Sequence, residues 1–162
     1  MNINLTAKER TLLEDQKSHE EICIQKYSNY ANMASDAQLK EMFKNHASHE
    51  QQHLDSINQL LNGQVPGVGG TQSGGGGSGW PNQSLTNYQS QGSFNANRAS
   101  DKDLCTDMLM TEKYVSGTYD TAIFEFKDPQ VRDVLNHIQK EEQKHGEAIF
   151  KYMESKGMYT PQ

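Results

Sequence analysis

Hydrophobic residues make up only 33% of this 162-residue chain, so the sequence has little with which to build a thick core. With a strongly negative mean hydropathy, that composition suits one domain held by narrow apolar stripes, as in a helical bundle. No apolar run approaches the roughly 20 residues that span a bilayer. The polar start MNINLTAKER lacks the apolar centre of a signal peptide, so synthesis in a cytoplasm is the expectation. A formal charge of −6 without any dense Lys/Arg run argues against nucleic acid and against an anionic membrane as partner. Two cysteines, Cys23 and Cys105, are too few for a disulfide scaffold and lack metal-finger spacing. Both read as small buried hydrophobes.

What the chain does have is a doubled Glu-x-x-His. Glu50-Gln51-Gln52-His53 and Glu142-Gln143-Lys144-His145 lie ninety-two positions apart, and thirty positions before each Glu stands another, Glu20 and Glu112. On a helix, i and i+3 share a face, so each motif aims a carboxylate and an imidazole the same way.

Helical periodicity and caps place these residues on four helices. Thr6 with Glu9 has the form of a capping box and opens a first helix reaching about Ala34. Its inward line reads Leu12, Gln16, Glu20, Cys23, Tyr27, Tyr30, Ala34. Asp36 caps a second, with inward line Leu39, Phe43, His46, Glu50, His53, Ile57, Leu60, ended by Asn62-Gly63. Ser100 with Asp103 opens a third, whose line is Leu104, Met108, Glu112, Val115, Tyr119, Ala122, Phe126. Asp128-Pro129 starts a fourth, with line Val131, Leu135, Ile138, Glu142, His145, Ile149, Tyr152, closed by Gly157. Every inward position of the second pair is one of the first pair plus ninety-two, including the identities Glu20/Glu112, Tyr27/Tyr119, Asp36/Asp128, Glu50/Glu142, His53/His145 and Ile57/Ile149. Ungapped spacing kept through two whole hairpins marks an internal repeat.

Between the hairpins, residues 63–99 are rich in Gly, Ser, Gln and Asn, with Gly74 to Gly77 unbroken. Such material commonly joins separate domains. A lone hairpin of about fifty residues cannot cover its own apolar face, however, so the halves should pack together and the segment become a crossover. A coil of this length reaches about 30 Å, close to the length of a twenty-residue helix. The expected organisation is one domain over 1–162, with hairpin one at 6–62, crossover at 63–99 and hairpin two at 100–157. Trp80-Pro81, Leu85, Tyr88 and Phe94 would pin the crossover to its own bundle or to a partner chain.

Packing hairpin on hairpin brings four carboxylates and two imidazoles into an apolar interior. Buried unpaired charges cost several kcal/mol each, and two divalent cations balance four glutamates with nothing left over. Glu20, Glu50, His53, Glu112, Glu142 and His145 are therefore the candidate metal ligands. This donor set favours two iron or manganese ions over copper and leaves zinc open. Glu21, Glu141, Glu147 and His49 fall off the inward line and read as solvated surface. His46 lies on it and reads first as a satisfied core histidine, with extra metal ligation as the other reading. Tyr27 and Tyr119 read first as core filling, with hydrogen bonding to groups just outside the candidate ligands as the other reading, each buried hydroxyl still needing a partner. Ser116, Gly117 and Gly146 are small residues that can make room for a substrate, whereas Leu54, at the repeat position of Gly146, closes the other side.

These six residues resemble the ligand set of the ferritin-like superfamily, including rubrerythrins and manganese catalases, which implies an all-α ferritin-like four-helix bundle with a di-metal site. No rubredoxin-type Cys-x-x-Cys module accompanies them. The second half also resembles the spore coat protein F family, through Glu112-Lys113-Tyr114, Thr118-Tyr119, Val131 to Leu135, Glu141 to His145, and Tyr152 to Tyr159. That resemblance implies assembly from the mother-cell cytoplasm into the spore coat, with other coat proteins as partners. A homodimer is a further expectation. The leading functional expectation is a coat protein with a di-metal ferritin-like bundle. The alternatives are a soluble di-metal peroxidase or catalase, and a metal-free helical scaffold.

Overall fold

The computed structural model describes residues 3–67 and 99–161. Trp80, Leu85, Tyr88 and Phe94, expected to pin the crossover, lie outside the described residues. The described residues form four helices: α1 (Ala7–Met33), α2 (Ala37–Leu61), α3 (Asp101–Ile123) and α4 (Pro129–Ser155). Each begins where its cap was read. Thr6 and Ser100 close capping boxes with Glu9 and Asp103, and the side chains of Asp36 and Asp128 accept from the N–H groups of Gln38 and Gln130. Gly63 and Gly157 stop α2 and α4 with φ of +80° and +67°, which glycine adopts without a Cβ penalty.

Around the bundle the order is α1, α2, α4, α3, each packing on its neighbours. Lys8 pairs with Glu125 and Lys26 with Asp107, so α1 and α3 run antiparallel, and Tyr152 reaches Asp36 across an antiparallel α2 and α4. α2 therefore ends beside the start of α1, where Ile3 N–H bonds the Gly63 carbonyl, while α3 starts at the opposite end, where Asp101 accepts from Ser35 and Asp36. The Gly-rich connection thus joins two parallel helices from one end of the bundle to the other. No helix among the described residues is long and apolar enough to cross a membrane.

Two staples match across the hairpins. Glu9, nearly fully buried, accepts from the N–H of Lys127 in the α3–α4 turn, and Asp101 accepts from the N–H of Ser35 in the α1–α2 turn. Positions 9 and 101, like 35 and 127, differ by ninety-two. Each hairpin's turn is thereby tied by an acid from the first turn of the other hairpin, which satisfies backbone donors that a short loop cannot pair internally.

The inward lines of α2, α3 and α4 are buried throughout. On α1 the ends differ from expectation: Leu13 and Ala31 are buried, while Leu12 and Tyr30 are only partly so. At the first end the expected line stepped four from Leu12 to Gln16 where the buried stripe steps three from Leu13, and near the last it stepped three from Tyr27 to Tyr30 where the stripe steps four to Ala31, since 3.6 residues per turn leaves the order of threes and fours open. Glu9, Leu13, Gln16 and Glu20 keep that mixture. Cys23 and Cys105 are buried and free. Two apolar clusters cap the bundle, one around Leu13, Ile57, Tyr119 and Leu135, the other around Tyr27, Phe43, Met108 and Ile149. The polar layer lies between them.

Candidate metal centre

All six ligand candidates are in that layer, one contribution from α1, two from α2, one from α3 and two from α4. Glu20, Glu50 and Glu142 are fully inaccessible to solvent, Glu112 and His145 are 2% exposed and His53 5%. Two overlapping groups form. In one, ligand atoms of Glu20, Glu50, His53 and Glu142 lie within 4.8 Å of one another, and in the other those of Glu50, Glu112, Glu142 and His145 do. Glu50 and Glu142 belong to both, so the two helices carrying Glu-x-x-His supply the shared carboxylates. Glu20 and Glu112 each terminate one group.

Both ligand histidines turn Nδ1 inward. His53 Nδ1 is 3.1 Å from Glu50 and 3.0 Å from Glu142, and His145 Nδ1 is 3.0 Å from Glu50 and 3.5 Å from Glu112. The Glu142 contact of His53 is short but off the ring N–H direction, and both Glu142 oxygens lack a hydrogen-bond partner. Oε2 of Glu20 and Oε2 of Glu112 are likewise buried and unpartnered. Four orphaned carboxylate oxygens in one water-excluded layer are a large uncompensated cost, and all belong to the two groups. The donor set fits divalent cations: oxygen-rich, one imidazole per group, and orphaned atoms where an ion would sit.

Charge balance without cations is kept by protons. Burial, against the pull of His53, keeps Glu20 well above the usual carboxylate range, and burial likewise keeps Glu112 there. Burial presses Glu50 and Glu142 upward too, but the adjacent His145 and His53 imidazoles more than offset it and hold both below that range. Burial pushes the two histidines down, and their carboxylate neighbours overcome it, raising His53 to about 12 and His145 to about 11.

Tyr27 and Tyr119 are fully buried and do more than fill the core. Each donates across the bundle to the other hairpin's glutamate, Tyr27 to Glu112 and Tyr119 to Glu20. Gln16, buried one turn before Glu20, accepts from Thr118 at 3.1 Å.

Two histidines differ from expectation. His46 is buried, but its Nδ1 has no hydrogen-bond partner, so it is not a satisfied core residue. Its ring stacks on His145 at 4.2 Å, and burial together with His145 and His49 lowers it to about 3, a neutral imidazole. His49, read as solvated surface, is exposed yet reaches in: its Nδ1 lies 3.2 Å from Nε2 of His145. The missed signal was its spacing, four before His53, which puts one edge of the ring over the α2–α4 seam. Glu21 and Glu147 are exposed as read, and Glu141 is half-buried.

Two cavities border the layer. Between α3 and α4, about 340 Å³ is bounded by Leu109, Ser116 and Gly146 and reaches Glu112 and Glu142. Ser116 and Gly146 thus make the room read from the sequence, whereas Gly117 faces a separate groove beside His19. Between α2 and α4, about 390 Å³ is lined by His49, His53, His137 and Glu141 among others.

Comparison with known proteins agrees with this architecture. The chain superposes with a TM-score of 0.69 and 14% identity on a two-domain protein from Anabaena variabilis that contains DJ-1/ThiJ/PfpI-like and ferritin-like domains, covering 98% of this chain and 40% of that one. At that identity the likeness shows the fold, and this chain spans well under half the length of the other. No curated protein matches the sequence. Residues 100–162 match the Coat F domain, a stretch that takes in α3, α4, Glu112, Glu142 and His145. The second hairpin is therefore similar to the Coat F domain, within a chain whose fold as a whole is that of the ferritin-like bundles.

Proposed function

We propose that this is a spore coat protein whose two hairpins form one ferritin-like domain, from about residue 6 to 157, holding two divalent cations. The Coat F domain at residues 100–162 supports the coat assignment. The observation that carries the metal reading is the set of orphaned buried oxygens on Glu20, Glu112 and Glu142. Glu20, Glu50, His53 and Glu142 would hold one ion, and Glu50, Glu112, Glu142 and His145 the other. Iron or manganese suits the oxygen-rich donors best, and such ions supply redox chemistry toward small oxidants. Tyr27 and Tyr119 orient the terminal glutamates and cover the α1–α3 side. Elemental analysis of protein purified without chelator tests the reading: close to two ions per chain is expected, and failure of Fe, Mn and Zn either to co-purify or to load refutes it.

A second reading, a peroxidase or catalase activity at the same centre, is favoured by the α3–α4 cavity. Its lining includes Glu112 and Glu142 beside Gly146, with no counterpart expected at Leu54 in the first hairpin. A Cβ on residue 146 would meet Leu109 and Glu112 at 3.8 and 3.9 Å, ordinary contact, so the first carbon of a larger side chain is accommodated at the cavity's edge. Peroxide decay by metal-loaded wild type that is slowed in Gly146→Leu supports this activity, and decay equal to buffer excludes it.

A further inference from the structure

The repeat that makes the two ion positions alike breaks down just outside them. Residues ninety-two apart would give the two ligand histidines the same surroundings, yet His46 corresponds to Ile138 and His49 to Glu141. His145 is consequently enclosed by imidazoles from α2. His46 stacks on it at 4.2 Å, and His49 lies parallel to it, the planes 8° apart, with Nδ1 3.2 Å from its Nε2. His53, by contrast, has Ile138 and Glu141 across the seam and lines the open α2–α4 cavity.

We infer that His49 is the positioning residue of the His145 ion position, and that through it the two positions bind cations unequally. The inference rests on the di-metal reading above. An ion on Nδ1 of His145 leaves the ring proton on Nε2, where His49 Nδ1 is placed to accept it. Fixing that tautomer and the ring plane is what a hydrogen-bonded partner outside the ligand shell does for a metal-bound histidine, and loss of such a partner commonly weakens metal binding 10- to 100-fold. Among the described residues no imidazole stands at the matching place beside His53, where Glu141 takes the position of His49. The His145 position is then the tighter one.

Titration of the full metal-free chain with Co2+, followed by its visible absorption and by calorimetry, tests this. Two resolved steps are expected for the wild type. Glu112→Ala assigns the step at His145 and Glu20→Ala the step at His53. His49→Ala and His49→Leu should weaken the His145 step about 10-fold or more and alter its absorption band, leaving the other step within about 2-fold. His49→Gln, whose amide oxygen can accept the same proton, should restore most of the loss. Two bound ions with both steps unchanged in His49→Ala, or both weakened equally, would overturn the inference while leaving the di-metal reading intact. Absence of Co2+ uptake by the wild type would overturn both together.

Discussion

Loading the centre should expel protons in a fixed number. Without cations the layer is neutral because Glu20 and Glu112 hold a proton each, Glu50 and Glu142 are ionised, and His53 and His145 carry positive charge. Two negative and two positive groups cancel. With two divalent ions bound through four carboxylates and two neutral imidazoles, four positive charges meet four negative ones, and the layer is neutral again. The difference is two carboxyl protons plus two imidazolium protons, about four released per two ions. Two protons per ion make the apparent affinity of each rise about 100-fold per pH unit, roughly 2.7 kcal/mol, across about pH 6 to 8. The release is read directly by adding Mn2+ to metal-free protein in a dilute indicator buffer, or by calorimetry in buffers of different ionisation enthalpy. Glu20→Gln should lower the count by about one, since its amide has no proton to give. A release below about two protons, or an affinity flat with pH, would refute the proton-for-metal exchange.

The shared carboxylates set a second expectation: Glu50→Ala or Glu142→Ala should lose both ions, whereas Glu20→Ala and Glu112→Ala should each keep one, counted by elemental analysis. Stability of the metal-free protein should fall as pH rises from about 6 to 9. Glu20, Glu112, His53 and His145 all have raised folded-state pKa values, so the native chain binds more protons than the unfolded one in that window. Thermal melts should show the decline, and loading metal should remove most of it. Glu9→Ala should cost about 1–3 kcal/mol in urea unfolding, because it strands the Lys127 N–H under a buried position. Asp101→Ala, at the matching but more open staple, should cost about 1 kcal/mol. Tyr27→Phe, which leaves Glu112 without its donor, should lower metal-free stability by about 1–2 kcal/mol.

Most of the fold was legible because local and long-range signals agreed. Thr6, Asp36, Ser100 and Asp128 are caps whose side chains do the same thing in any context, and the stripes from Leu39 to Leu60 and from Val131 to Tyr152 keep helical spacing without interruption. The six candidate ligands were legible for a related reason: charged residues at mid-stripe cannot be accommodated by a surface reading. What was not legible lay one step off the stripe. His49 is exposed, and its reach to His145 depends on the separation of α2 and α4, which no single-helix pattern encodes. His46 looked like a core residue because position on the stripe predicts burial, but not whether a buried nitrogen finds a partner.

Residues ninety-two apart make matching contacts at several places in the two hairpins. Glu9 and Asp101, Tyr27 and Tyr119, and the two Glu-x-x-His pairs each act on the opposite hairpin, so loss of one member damages a contact that the other half cannot make for itself. Other positions beside the polar layer are unlike in the two halves, His46 against Ile138 and His49 against Glu141, although both histidines also reach across to His145. The matching cross-hairpin contacts are therefore two-fold while the surroundings of His53 and His145 are not. A chain made alike at these two pairs and at Leu54 against Gly146, by His46→Ile, His49→Glu and Gly146→Leu, should still fold, with staples and candidate ligands intact. Its two ion-binding steps should draw together and its α3–α4 passage close; a variant that instead failed to fold would show that these unlike positions are part of the framework.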